Sequence, residues 1–199
     1  AERFIAAATD PPFVRSLGIP AASLEGYLFP DTYRFARGLP VETVLRSFVT
    51  LFNQHFGPVQ EEKTRKLGFT RHQVVILASV VEKETAAAEE RPLIAGGFVN
   101  RLRRRIRLQS DPTVIYGLKN FDGNLTRAHL QKDTPYNTYT RRGLPIGPIC
   151  NPGAASIQAV LNPTTTSYLY FVAKKDGTHH FSATLVEHNA AVLRHQKRR

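Results

Sequence analysis

The sequence predicts an α+β fold in which helices dominate and one β-hairpin supplies the sheet. Three observations carry that prediction. Thr70 with Gln73, and Thr184 with Glu187, have the spacing of capping boxes, each ahead of a helical run. Apolar residues recur at helical spacing through Val44, Leu45, Phe48, Leu51 and Phe52. Asp176-Gly177 separates residues 167–173, rich in aromatic and branched side chains, from residues 178–182, which is a two-residue hairpin signal.

Taken in order, residues 2–9 read as a helix end closed by Asp10-Pro11-Pro12, and a Pro- and Gly-punctuated segment follows. Residues 41–55 form a helix that Gly57-Pro58 ends. The Thr70 capping box starts the next helix near Arg71, and the apolar run carries it to about Arg91. Pro92 opens another to about Arg104, with Leu93, Phe98, Val99 and Leu102 apolar. Asp111-Pro112 reads as an N-cap followed by Pro at the first helical position, giving a short helix through Tyr116. Residues 126–130 add one turn. Residues 131–152 are dense in Pro, Gly, Thr and Tyr and read as a long loop, a length that is usually functional or else disordered. Residues 153–161 are helical and stop at Asn162-Pro163, the hairpin follows, and a terminal helix runs to about Gln196. There are no internal repeats and no low-complexity tracts.

A chain of 199 residues is long enough for one well-buried domain, with at most a small appended lobe. Its 42% apolar and 22% charged residues are ordinary for a globular protein, but a formal charge of +11 is not. That charge favours anionic partners: nucleic acid, an acidic membrane face or an anionic polymer such as cell wall. Cys150 is the only cysteine, which excludes an internal disulfide and a cysteine-built metal cage. No apolar stretch reaches the roughly 18 residues of a membrane span. The chain opens without an initiator methionine and reads as a fragment lacking its N-terminal part, including any anchor.

The chemistry centres on Val80-Val81-Glu82-Lys83-Glu84-Thr85. At 3.6 residues per turn Leu77, Val81, Glu84 and Ala88 share a stripe, and Glu82 points roughly 200° away with Ser79, Ala86 and Glu89. One carboxyl therefore faces the core side. An unpaired carboxyl in an apolar setting shifts towards its neutral form, which is how a general acid stays protonated near neutral pH. A helix that merely passes from buried to exposed, or a structural ion pair, fits the spacing too.

The run Arg101, Arg103, Arg104, Arg105 and Arg107 is suited to phosphate, yet no nucleic-acid motif or stacking platform accompanies it. A solvated face or a patch for anionic polymer is the better reading. His179 and His180 precede Glu187 and His188 without matching a zinc spacing, so hydrogen bonding at a cleft edge suits the two hairpin histidines better. There is no Gly-x-Ser-x-Gly elbow and no phosphate-cradling glycine loop, and Cys150 has no evident base beside it. Gln109, Ser110, Asp111, Tyr136, Asn137, Thr138 and Tyr139 mix aromatic rings with amides and hydroxyls, as a sugar-binding groove requires. Tyrosines packed over the core in an ordinary loop would look the same.

Several segments together resemble the MltG-like (YceG-like) family of endolytic lytic transglycosylases. They are residues 24–33 (LEGYLFPDTY), 78–85 (ASVVEKET), 98–102 (FVNRL), 108–117 (LQSDPTVIYG), 136–140 (YNTYT), 143–145 (GLP), 151–153 (NPG), 167–172 (SYLYFV) and His180-Phe181. They recur in the family's order from about residue 22 to 195. Cys150 and the arginine run lie outside the pattern.

The resemblance implies cleavage of the β-1,4 bond between N-acetylmuramic acid and N-acetylglucosamine inside peptidoglycan strands, leaving a 1,6-anhydro-muramyl end. It implies Glu84 as the single catalytic residue and a module similar to the lysozyme-like fold of soluble lytic transglycosylases. Gln109, Ser110, Asp111, Tyr136, Asn137, Thr138 and Tyr139 are the candidate sugar-binding residues, with Asn100 and Glu25 beside them. Asp111 has N-capping as its alternative role, and Glu82 is expected to be structural. No metal and no cofactor are expected. Residues 1–21 are expected to be a remnant of an N-terminal LysM-like region or linker, and residues 22–199 the catalytic domain. The expected partners are glycan strands of peptidoglycan and cell-wall synthesis proteins, with no nucleic acid. The expected location is the bacterial cell envelope, anchored in the cytoplasmic membrane by an N-terminal segment, with the catalytic domain outside. A muramidase-type hydrolase on the same scaffold and a non-catalytic binder of wall glycan or nucleic acid are the alternatives.

Overall fold

The computed structural model describes residues 1–85 and 87–196. Ten helices and one hairpin follow in chain order among them. The helices are α1 (Glu2–Ala8), α2 (Pro11–Ser16), α3 (Val41–His55), α4 (Pro58–Leu67), α5 (Arg71–Glu84), α6 (Arg91–Arg103), α7 (Asp111–Tyr116), α8 (Arg127–Gln131), α9 (Ala154–Leu161) and α10 (Leu185–His195). Strands β1 (Tyr170–Ala173) and β2 (His179–Ser182) pair antiparallel before α10, with Phe171 opposite Phe181 and Ala173 opposite His179. The helix-dominated α+β reading holds.

Helix α5 is the axis of the molecule. Its Thr70 hydroxyl accepts from the Gln73 N–H at 3.2 Å and the Gln73 side chain accepts from the Thr70 N–H at 2.8 Å, so the capping box is real. Every residue from Val74 to Val81 is buried, because α6, α7 and α9 cover the helix on its several sides. A helix apolar all round belongs in a core. Close approach is visible where α6 meets the chain after α9: a Cβ on Gly96 would lie 2.3 Å from the Thr164 carbonyl oxygen. Two sets of hydrogen bonds fix the loop of residues 131–152, one to residues 26–28 and one to α5. Asn151 Oδ1 accepts from the Gly26 and Leu28 N–H groups at 2.7 and 3.1 Å, and Ser79 Oγ accepts from the Ile149 N–H at 3.0 Å.

Three sequence expectations are corrected here. The α5 helix ends at Glu84, not near Arg91: buried Thr85 is extended (φ −144°, ψ 141°) and its hydroxyl accepts from the Ala87 N–H at 3.0 Å. A side chain that satisfies local backbone competes with the helix, and the stretch has no Gly or Pro to announce it. Helices α2 and α4 were not foreseen. Strand β1 begins at Tyr170, three residues later than the aromatic run. Within residues 1–21, Ala8, Val14 and Ile19 lie in the same buried core as α5.

Candidate active site

The break after Val81-Glu82-Lys83 places Glu84 as the last residue of α5, at the lip of a groove of about 370 Å³. That volume lies within the ~300–1,000 Å³ of small-ligand sites. The groove is walled by Gln109, Asp111 and Tyr139 on one side and by the hairpin and α10 on the other. A second hollow lined by Arg101, Tyr170 and His188 shares Gln109, Tyr139 and Phe171 with it. The two form one trough.

Burial pushes the Glu84 carboxyl up from 4.5 to about 7, and the negative charge of Asp111 adds to the push. The C-terminal end of a helix carries partial negative charge, which also disfavours a carboxylate there. Two groups work against the rise. The enclosed Ser110 hydroxyl, which finds no closer partner among the described residues, lies towards the carboxyl and favours its ionised form. The Arg101 guanidinium does the same from further off.

Asp111 does not cap α7. Ser110 takes the N-cap position, Asp111 is the first helical residue, and no side-chain cap bond forms. Its carboxylate instead accepts from the Tyr139 hydroxyl at 2.5 Å, on the groove wall. Burial and that bond push the Tyr139 phenol well above its ordinary range, so Tyr139 remains a donor. Gln109 holds a left-handed backbone (φ 49°) without being glycine, and its N–H donates to the Thr138 carbonyl at 3.2 Å. Such outliers persist only where neighbours over-determine them, and they gather at functional sites.

Of the sequence-derived candidates, Glu84, Gln109, Asp111 and Tyr139 converge on the groove, with Ser110 enclosed behind them. The others are placed elsewhere. Buried Asn137 donates to the carbonyls of Lys132, Leu130 and His129 (2.7, 3.0 and 3.4 Å) and accepts from the Tyr139 N–H at 2.7 Å, which clamps the loop carrying Tyr139. Buried Thr138 accepts from the Ser110 N–H at 3.0 Å and bonds the Thr113 hydroxyl at 2.8 Å. Asn100 donates to the carbonyls of Thr166 and Tyr168 at 2.7 and 3.1 Å, fixing the approach to β1 away from the groove. Glu25 and Tyr136 line a separate hollow of about 320 Å³ with His72. Glu82 accepts from the Gly153 N–H at 3.2 Å and faces Arg91 at 3.8 Å.

Arg101 departs from the solvated-face reading of the arginine run. It is buried, donates to the carbonyls of Leu169 and Leu108 at 2.5 Å each, and lies 5.1 Å from the Tyr170 ring centre. Arg103, Arg104, Arg105 and Arg107 remain exposed. His179 lines the groove through its bond to Glu90, whereas Glu187 caps α10 by accepting from the Ala183 and Thr184 N–H groups. Residues Phe171, Val172, His188 and Val192 also line the groove. Only the hairpin signal pointed to that wall, because the contact is made across some ninety residues of sequence.

Known proteins resemble this chain over nearly its whole length. The model of the YceG-like family matches residues 3–194. The endolytic murein transglycosylase of Bacillus subtilis (strain 168) is 39% identical over 169 residues, 84% of this chain and 47% of that protein. The endolytic murein transglycosylase of Streptococcus pneumoniae serotype 2 (strain D39 / NCTC 7466) is 33% identical over 178 residues, 86% of this chain and 32% of that protein. The chain thus spans about half, or less, of the length of these relatives. The crystal structure of a yceG-like protein from Listeria monocytogenes superposes with a TM-score of 0.85 at 36% identity, covering 94% of this chain and 66% of that one.

Proposed function

We propose, on the premise that this chain belongs to the YceG-like family, that it is an endolytic peptidoglycan lytic transglycosylase with Glu84 as its acid and base. The observation that carries this reading is a carboxyl held near a pKa of about 7 on a groove walled by a tyrosine, an amide and a second carboxylate. A group so poised exists in both protonation states near neutral pH, as a residue that first gives and then takes a proton requires.

The reaction begins with protonated Glu84 donating to the glycosidic oxygen between N-acetylmuramic acid and N-acetylglucosamine. The C1–O bond breaks and the muramyl ring carries oxocarbenium character. Glu84, now a carboxylate, takes the proton of the muramyl C6 hydroxyl as O6 closes onto C1. The product is a 1,6-anhydro-muramyl end, and the carboxyl is again protonated. The nucleophile belongs to the substrate, so the protein's work is to hold the ring and exclude water. Tyr139 and Gln109 line the trough where the sugars lie, and Asn137, Thr138 and Ser110 hold that wall in place. The excess of positive charge suits a polymer bearing carboxylates. The activity places the domain on the outer side of the cytoplasmic membrane, within the envelope. Among the described residues no helix is long and apolar enough to cross a membrane.

One observation favours a second reading. Asp111 stands close enough to act on the Glu84 carboxyl, and a paired carboxylate is the mark of glycoside hydrolases. A muramidase-type hydrolase would use Asp111 as base or nucleophile and leave a reducing end. Against it, Asp111 is engaged by Tyr139. A binder without activity has no use for a carboxyl raised to about 7 on a groove. Mass spectrometry of purified sacculi digested by the wild type and by Glu84→Gln decides among the three. Anhydro-muropeptides from the wild type and none from the variant support the proposal. Reducing ends assign the hydrolase, and equal release by the variant removes Glu84 from the mechanism.

A further inference from the structure

We propose that His179, oriented by Glu90, is a substrate-positioning residue of the trough and binds a polar substituent of the sugar ring beside Glu84. This rests on the transglycosylase reading and assigns that site a second wall of recognition. His179 lies on β2 opposite Ala173, and the hairpin brings it to the groove that Glu84 lines. The residue is held at three points, two of them on the ring. Nδ1 bonds Glu90 Oε2 at 2.6 Å, the His179 backbone N–H donates to Glu90 Oε1 at 2.8 Å, and the ring stands edge-on to Phe171 at 5.5 Å between centres. The side chains of His179 and Glu90 are only 10% and 12% exposed.

Both carboxylate oxygens of Glu90 are thus committed to one residue 89 positions away. A staple needs only the backbone bond. The additional bond to Nδ1 fixes the ring plane and the tautomer, since the hydrogen bond of one ring nitrogen determines the state of the other. Nε2 takes no hydrogen bond from any described residue, so it is the ring nitrogen available to the groove. A neutral ring with Nδ1–H given to Glu90 offers Nε2 as an acceptor. A protonated ring offers it as a donor. A sugar hydroxyl satisfies either, while the apolar Phe171 and Val172 on the same wall suit the carbon face of a ring. Glu90 lies in the 3₁₀ turn of residues 88–90, just beyond the end of the catalytic helix, so the pair also sets the spacing between Glu84 and the hairpin wall.

The test separates binding from cleavage. Solubilised peptidoglycan glycan strands are titrated into Glu84→Gln, which binds without cutting, and into the same protein carrying His179→Phe, Glu90→Gln or both. His179→Phe retains the ring's packing and removes its nitrogens. Glu90→Gln keeps an oxygen for the backbone N–H. We expect His179→Phe to weaken binding about tenfold, the worth of one hydrogen bond to an otherwise unpaired partner. Glu90→Gln should weaken it less, and the double variant should bind like His179→Phe alone, since Glu90 acts through the ring. Circular dichroism of each variant reports folding, and His179→Gln, which restores a polar end, should recover part of the affinity. Unchanged affinity in folded His179→Phe, or additive losses in the double variant, overturns this inference and leaves the transglycosylase reading intact. No binding and no cleavage of glycan by the parent proteins overturns both.

Discussion

The trough at Glu84 and the hollow at Glu25 lie at the two ends of α7 and are assembled from the same parts. Each has a carboxylate, a tyrosine hydroxyl bound to a carboxylate, and a histidine. At the Asp111 end the tyrosine binds Asp111, and the Ser110 hydroxyl and the more distant Arg101 do not offset the burial that pushes the neighbouring Glu84 carboxyl to about 7. At the Tyr116 end the tyrosine hydroxyl bonds Glu25 directly, and Tyr136 packs across Tyr116 at 4.7 Å. His72 there is likewise spent, bonded to the Tyr27 hydroxyl at 2.7 Å, and burial lowers its pKa. The difference teaches that a raised carboxyl pKa here comes from a second, buried acid beside a satisfied one. The residue types alone do not confer it.

The comparison breaks most severely at Glu84. Glu84→Gln should reduce release of anhydro-muropeptides by about 10²–10⁴-fold, the range of general acid catalysis. It should also change stability with a defined sign. The folded carboxyl titrates near 7 against 4.5 when exposed, so its favourable contribution is complete below about 4.5 and is lost as pH rises through about 7. Gln does not ionise. The variant should therefore gain stability over the wild type by about 3 kcal/mol at pH 8, and show no gain at pH 4, in urea titrations.

Asp111→Asn comes next. Its charge helps raise Glu84, so neutralising it should lower the Glu84 pKa and move the alkaline limb of the pH–rate profile to lower pH. Activity at pH 7 should fall by roughly tenfold, because less of the acid form remains. If products of this variant shift to reducing ends, Asp111 excludes water. If a folded variant still binds glycan but releases no product at any pH, Asp111 is a nucleophile. Tyr139→Phe should have a smaller effect, about threefold, by releasing the Asp111 carboxylate from one donor while keeping the aromatic wall.

How far the sequence went follows from the range of each interaction. The capping boxes at Thr70 and Thr184 and the Asp176-Gly177 hairpin are local, and all are present. Helix α4 was equally local and was overlooked, although Pro58 at its first position and left-handed Gly68 just past its end are helix punctuation. The end of α5 at Glu84 was not legible, because Thr85 is turned out of the helix by burial that no neighbouring residue signals. Among site residues the periodicity singles out Glu84, which lines the groove, whereas the candidates from residues 136–139 divide between groove and scaffold. Burial within a tight loop follows no fixed period: Tyr139 reaches the trough while the adjacent Asn137 and Thr138 both hold the loop from inside. Arg101 stood inside an arginine run that otherwise remains in solvent. His179 and Glu90 are 89 residues apart, and nothing short of the fold joins them.

The smallest effects belong to the Glu25 hollow, and they test the comparison from its quiet side. Glu25→Gln keeps an acceptor for the Tyr116 hydroxyl and removes the charge. The bond is between partly exposed groups, so its loss or weakening should cost no more than ~1 kcal/mol of stability. The charges that act on the Glu84 carboxyl are those of Asp111 and Arg101. Tyr116, which bonds Glu25, stands five residues from Asp111 on α7, about 7.5 Å along the axis at 1.5 Å per residue and close to a Debye length in physiological salt. Glu25→Gln should therefore leave the alkaline limb where the wild type has it, and Tyr116→Phe should do the same, both measured on sacculi at constant ionic strength. A limb displaced by Glu25→Gln as far as by Asp111→Asn would mean that the two ends of α7 titrate as one site, and that the satisfied carboxylate is part of the catalytic field after all.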